Sequence, residues 1–256
     1  MTAPQGLIQV EAFVIFFKIW QYTLVASCLI FCLIYFETVL EAYGIPTSYP
    51  MFAIMSVVAF FAHASALKRH IPIKSSVGYV IGFICLCFAI NWITHQVISH
   101  GGSMWSLITT GELGTEKPGL VTLIVSAFVG LGVYALIGMA MPSYVAGIIN
   151  DIPSVIMRSL RQFLYILLKL IIQGIFLYFS LFIITALILV GMLASLSPGD
   201  SVFSVDPEGW MEDPFRMGVF IGLSMTYISV LFPVIFSRAL LRDAVKHPLF
   251  LEQRFE

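Results

Sequence analysis

The sequence predicts an all-α polytopic membrane protein: a bundle of six transmembrane helices with interfacial helical segments on the cytoplasmic side. Three observations carry that expectation. Apolar residues make up 59% of the chain and charged residues only 11%, against about 45–50% and about 25% in soluble domains. Apolar stretches approaching the about 20 residues that cross a hydrocarbon core recur along the whole chain. Lys and Arg fall almost entirely on one side of those stretches. So few charges cannot cover the surface of a soluble domain, and a water-soluble enzyme is excluded. With 13 basic and 14 acidic side chains there is no positive excess to hold nucleic acid.

Taken in order, the segment 7–17 contains Phe13, Phe16 and Phe17 and is followed by Lys18. It is too short to cross alone, and reads as an interfacial helix or as an extension of the first span. No basic residue precedes it and no small-residue cleavage site follows, so the first span is expected to act as its own insertion signal. Spans are expected at 20–40, 51–67, 77–94, 120–141, 170–194 and 217–236. Pro50 suits the start of the second, Pro142 is expected to stop the fourth, and Pro233 to kink the sixth. No proline follows Pro153 until residue 198, which predicts a single helix about 60 Å long at 1.5 Å per residue, twice the membrane. Its first part, opening at Asn150, Asp151 and Pro153, is therefore expected to run along the inner leaflet. There Arg158, Arg161 and Lys169 either contact anionic lipid headgroups or only set the topology. The longest polar connections are 96–119 and 195–213. Neither is long enough for a soluble domain, so residues 1–256 read as one integral membrane domain. The two three-helix halves share no residue pattern, so an inverted repeat is not supported.

Orientation follows from the cations. One side collects Lys18, Lys68, Arg69, Lys74, Arg158, Arg161, Lys169, Arg238, Arg242, Lys246 and Arg254; the other holds only Lys117 and Arg216. The alternation is unbroken across six spans and places both termini in the cytoplasm. With its short loops, the layout is that of a bacterial inner-membrane protein. The connection 195–213 carries five acids around Trp210. It reads as a solvated loop anchored at the interface by Trp210, or as a docking surface or cation funnel.

Few residues are candidates for chemistry. Ionisable and amide groups inside a bilayer are costly and often functional, and here the candidates are Glu37, His63 and Asn91. Glu37 lies near the outer end of the first span, within reach of the headgroups. His63 is about one turn from the inner end of the second span, where it hydrogen-bonds a neighbouring helix or serves a ligand or proton. Asn91 joins helices through its amide or lines a pathway. His63 is about 20 Å in depth from His95 and His100 at the helical rise, so a bis-histidine haem fails. His95 and His100 have no ligand spacing for a metal, and no cofactor is expected. Cys28, Cys32, Cys85 and Cys87 all lie in apolar stretches and read as four buried free thiols. Small-residue pairs, Gly78 with Gly82, Gly218 with Gly222, and Ser126 with Gly130, allow close helix approach inside the bundle or between subunits.

There is no HExxH, GxSxG, Walker A or dinucleotide fingerprint. The spans contain no Asp for an intramembrane aspartyl protease, and only His63 to pair with a serine. The leading expectation is a non-enzymatic subunit or helper of a larger membrane assembly, in contact with membrane lipids and with other subunits or copies of itself. The alternative is a small-solute transporter or channel with a pathway near His63 and Asn91, and the third is a membrane-embedded lipid enzyme.

Overall fold

In a computed structural model of the chain, the structure describes residues 7–44, 46–69, 73–110, 120–148, 152–194 and 214–246. The acidic connection 195–213 with Trp210, together with Lys117, lies outside these residues. The described elements are all helical: α1 (Ile8–Lys18), α2 (Trp20–Tyr35), α3 (Glu37–Ala42), α4 (Ser48–Ala66), α5 (Ile73–Thr110), α6 (Leu120–Ile137), α7 (Ala140–Ala146), α8 (Ile152–Ala194) and α9 (Pro214–Lys246). An apolar chain in lipid must bond every backbone group to itself, and a helix does so within one segment.

Five stretches are long and apolar enough to cross a membrane: Ser48–Ala66, Val77–His100, Phe128–Ala146, Ile152–Leu177 and Gly218–Lys246. The pair α1 and α2, bent by 86°, makes a sixth if it counts as one span. This is the architecture of a multi-pass helical membrane protein.

The elements depart from the sequence expectation in three places. The expected polar connection after residue 96 is helix as far as Thr110. Gly101 and Gly102 interrupt a helix at about 1 kcal/mol each relative to alanine, and the apolar residues Met104, Trp105, Leu107 and Ile108 carry the pattern past them. Pro142 does not stop the fourth span at its own position. It sits in the first turn of α7, and the break falls at Gly138 and Met139. The reason is its missing N–H, which in a continuous helix would bond the Gly138 carbonyl. That carbonyl accepts instead from the Met141 N–H at 3.2 Å, a tighter turn that separates α6 from α7. α8 is the single long helix expected, Ile152–Ala194, and its stretch Ile152–Leu177 is apolar enough to cross; most side chains of the expected span 170–194 lie outside the described ones. α9 runs ten residues past the expected end of its span, to Lys246.

α9 is the hub of the bundle and packs against α1, α2, α4, α7 and α8. Every residue from Pro233 to Leu240 is buried. Its seam with α2 is close because a Cβ on Gly222 would lie 3.0 Å from the Ser27 carbonyl oxygen, and one on Gly218 2.8 Å from the Phe31 ring. Beside them the Ser27 hydroxyl bonds Thr226 Oγ1 at 3.0 Å. Thr226 in turn donates to the Gly222 carbonyl at 2.7 Å.

Charged groups gather where α9 ends. Arg238 pairs with Glu11 of α1, Arg161 lies 3.2 Å from Asp243, and the Arg242 guanidinium stands 4.7 Å over the Tyr165 ring. Arg69, just after α4, donates to the Val145 carbonyl of α7. Both of these helix ends close with the same motif. Gly147 has φ +71°; its N–H bonds the Tyr144 carbonyl at 2.9 Å and the Ile148 N–H bonds that of Ser143 at 3.0 Å. At the end of α4, Lys68 takes the left-handed position, φ 54°, without being glycine.

The cysteine expectation needs correction. All four are free, but only Cys87 is buried; Cys28, Cys32 and Cys85 are exposed. Those three lie on outer faces of the bundle, and a thiol is apolar enough for a face of either kind in an apolar helix.

Candidate functional site

His63 and Asn91, picked out separately in the sequence, line one cavity. It has a volume of about 260 Å³ and lies between α4, α5, α6 and α9. Phe52 and His63 both line it along α4, so it extends about 16 Å at the helical rise. Asn91 is the one exposed residue of the lining, and marks the open end.

The other end is closed by packing. His63 is fully buried, with its Nδ1 2.8 Å from the Ser237 hydroxyl of α9. Phe60, Phe83, Phe236 and Met139 around that level are all at 0% exposure. The Phe83 ring meets both His63, at 5.8 Å, and Phe60, at 5.4 Å, edge to face. His63 Nε2 has no hydrogen-bond partner. A buried nitrogen left unpaired costs about 1–3 kcal/mol, and it belongs to a residue that lines the cavity.

The remaining polar lining is partly committed. The Ser56 hydroxyl donates to the Phe52 carbonyl at 2.9 Å, and that of Ser229 to the Met225 carbonyl at 2.8 Å. Both keep lone pairs for a ligand. Tyr134 of α6 and Cys87 of α5 complete the polar set; the Cys87 sulfur lies 3.8 Å from that of Met141. The rest is apolar. The arrangement suits a small molecule with an apolar body and one or two hydrogen-bonding groups.

A proline and a helix break flank the closed end. Pro233, a lining residue, lies inside α9. The break at Gly138 lies on the other side, where a Cβ would come within 2.5 Å of two Phe236 ring carbons. Below this level, Arg69 ties the end of α4 to the end of α7.

The other sequence candidates lie elsewhere. Glu37 is half-buried and accepts from the Thr47 hydroxyl at 2.9 Å, which pins α3 to the start of α4. Arg158 is 6% exposed and turned towards the Ile148 carbonyl, 3.4 Å away. Arg161 is engaged with Asp243, and Lys169 stands 5.9 Å over the Tyr165 ring. His95 and His100 are both on α5, and His100 Nδ1 is 2.7 Å from the Gln96 carbonyl of its own helix.

Of the small-residue pairs, Gly218 and Gly222 both meet α2, while Gly130, one turn from Ser126, meets Ile98 of α5. Gly82 meets the Tyr144 hydroxyl of α7, whereas Gly78 has nothing within 4 Å. Tyr134, Ser237, Arg69 and Gly138 carry no motif that marks them. Their only sequence signal is polarity, or a glycine, in an otherwise apolar stretch.

The fold and the cavity define a class: a multi-pass membrane protein with a chamber of about 260 Å³ inside its helical bundle, just under the size of drug-sized sites. Comparison with family models, with curated proteins and with solved structures returns no match.

Proposed function

We propose that the protein is a non-enzymatic small-solute transporter that uses the cavity between His63 and Asn91. In this reading it crosses a bacterial inner membrane six times, with both termini cytoplasmic and α1 lying in the inner interface. The observation that carries the reading is the cavity itself: open at Asn91, closed beyond His63, and flanked at the closed end by the break between α6 and α7 and by Pro233 of α9. Discontinuous helices at a midplane site are how many transporters alternate access. Here α7 is the gate, the break at Gly138 is its hinge, and the Arg69 bond to Val145 is its latch, while Pro233 weakens the facing wall of α9. The solute presents a hydrogen-bonding group to His63 Nε2 and its apolar body to the aromatic walls.

Cys87 offers the test, because it lines the cavity and the other three cysteines do not. In a variant with Cys28, Cys32 and Cys85 changed to alanine, a small thiol reagent labels Cys87 from the outer face of vesicles and slowly from the inner face. Arg69→Met raises the inner rate, and solute uptake into proteoliposomes is lost in His63→Leu. Equal rates from both faces, unmoved by Arg69→Met, refute the reading.

A second reading is the subunit or helper of a membrane assembly, with this chain touching other subunits or a copy of itself. Gly78 favours it, since it lies on an exposed part of α5 with no neighbour in its own bundle. Mild-detergent purification followed by identification of retained chains tests it. In both readings lipids cover the apolar outer faces, and Lys169 and the exposed part of Arg161 reach the inner headgroups.

A further inference from the structure

A second cavity, separate from the first, lies between α1, α8 and α9. It has a volume of about 490 Å³, within the about 300–1,000 Å³ range of small-molecule sites. It runs along α9 from Leu231 to Phe220, about 16 Å at the helical rise.

Its polarity is graded. At the α1 end stand the amides Gln9 and Gln173 and the phenol of Tyr227, among the rings of α1; towards the other end the walls are Phe176, Leu177, Phe220 and Leu223 with two hydroxyls, Ser224 and Ser180, the latter donating to the Phe176 carbonyl of its own helix. α1 forms the floor because it turns 86° from α2, and its Phe16 ring meets Tyr227 at 6.1 Å. Gln173 is only 3% exposed, yet its Oε1 has no hydrogen-bond partner. Its carboxamide offers an acceptor and, through its NH₂, a donor. The lining includes no Asp, Glu, Lys, Arg or His.

We propose that this groove binds one membrane lipid with an uncharged, hydroxyl-bearing head, such as a monoacylglycerol or diacylglycerol. The head sits at Gln173 above the α1 floor, and one acyl chain lies along α9 towards Phe220. Three features fit that occupant. The groove lies in a chain whose helices span a membrane, so lipid is its ambient solvent. Its amide groups lie at one end only, and the rest of its wall is mostly apolar. The lining holds no cation, and Lys169, one turn from Gln173 on α8, is turned back over the Tyr165 ring, so a phosphate head meets no positive charge in the groove and the neutral class is selected. Gln173 is the specificity-determining residue. The proposal does not depend on solute transport through the first cavity.

The test is photo-crosslinking of the full chain in lipid nanodiscs. The probes are a diacylglycerol carrying a diazirine in one acyl chain and a phosphatidylglycerol carrying the same chain, with labelled peptides identified by mass spectrometry. The neutral probe is expected to label α8 or α9 peptides lining the groove, and to exceed the anionic probe there. Gln173→Leu lowers its labelling about fivefold, the factor that one neutral hydrogen bond of about 1 kcal/mol carries. Leu223→Trp is a second variant. Leu223 is 51% exposed, so the larger ring is accommodated at the lipid face while it blocks the slot; labelling falls again. Equal labelling by both probes, or labelling that survives Gln173→Leu and Leu223→Trp, overturns the proposal. Labelling spread over all lipid-facing helices does the same.

Discussion

The contact between His63 and Ser237 joins α4 to α9 at the closed end of the first cavity, and a double-mutant cycle measures it. Both residues are at 0% exposure and the Nδ1 to Oγ distance is 2.8 Å. Ser237→Ala removes the one partner His63 has and leaves both ring nitrogens unpaired, a loss of about 1–3 kcal/mol. His63→Leu strands the serine hydroxyl, but a helical serine turns back to its own i−4 carbonyl, so that loss is smaller. The double variant removes both polar groups and keeps the approximate volume. It should be more stable than the two single losses add up to. Hydrogen bonds between membrane helices average about 0.6 kcal/mol and reach about 1.7 kcal/mol; this fully buried pair should lie in the upper half of that range. The assay is reversible unfolding in mixed micelles of increasing denaturing-detergent fraction, with the four proteins run side by side. A coupling energy below about 0.3 kcal/mol, within the scatter of independent sites, would refute the claim that this bond holds the closed end shut.

Four further outcomes follow from the packing. Gly222→Val places a side chain 3.0 Å or less from the Ser27 backbone, and should destabilise by about 1–3 kcal/mol in the same assay. Gly78→Ala, with nothing within 4 Å, should be neutral or stabilising by up to about 1 kcal/mol; equal losses at the two glycines would contradict the packing described. Lys68→Gly relieves a left-handed φ of 54° and should raise the thermal midpoint, from a gain of about 1 kcal/mol; a lower midpoint counts against it. Arg238→Met strips Glu11 of its partner, the pair being 7% and 27% exposed. That loosens α1 and should speed tryptic cleavage after the exposed Lys18 severalfold, whereas an unchanged rate means that apolar packing alone holds α1.

The architecture was legible because the chain obeys the bilayer. Long apolar runs predicted helices, and the unbroken helix of α8 followed from the absence of proline after Pro153. Which face of each helix meets protein was not legible. In a soluble helix polarity marks the outer face, but lipid and core are equally apolar. So Cys28 and Cys87 look alike in sequence and face opposite environments, and Gly78 and Gly82 share a motif of which only Gly82 has a neighbour. Pro142 was visible, but its effect falls four residues upstream at Gly138, where its missing N–H is felt. His63 and Asn91 stood out as polar exceptions, and they do share a cavity. Gln173 is an exception of the same kind. What identifies it is tertiary: a buried amide oxygen left without a donor.

The bond between Glu11 and Arg238 joins residues 227 positions apart. Synthesis at about 5–20 residues per second separates their appearance by on the order of 10–45 s. Through that interval α1 exists without α9, its apolar side of Ile8, Ala12 and Ile15 uncovered and its carboxylate without a cation. The helix that enters first therefore finds its place only when the last described one arrives. Until then the nascent protein carries an α1 whose apolar side and carboxylate are both without their final partners.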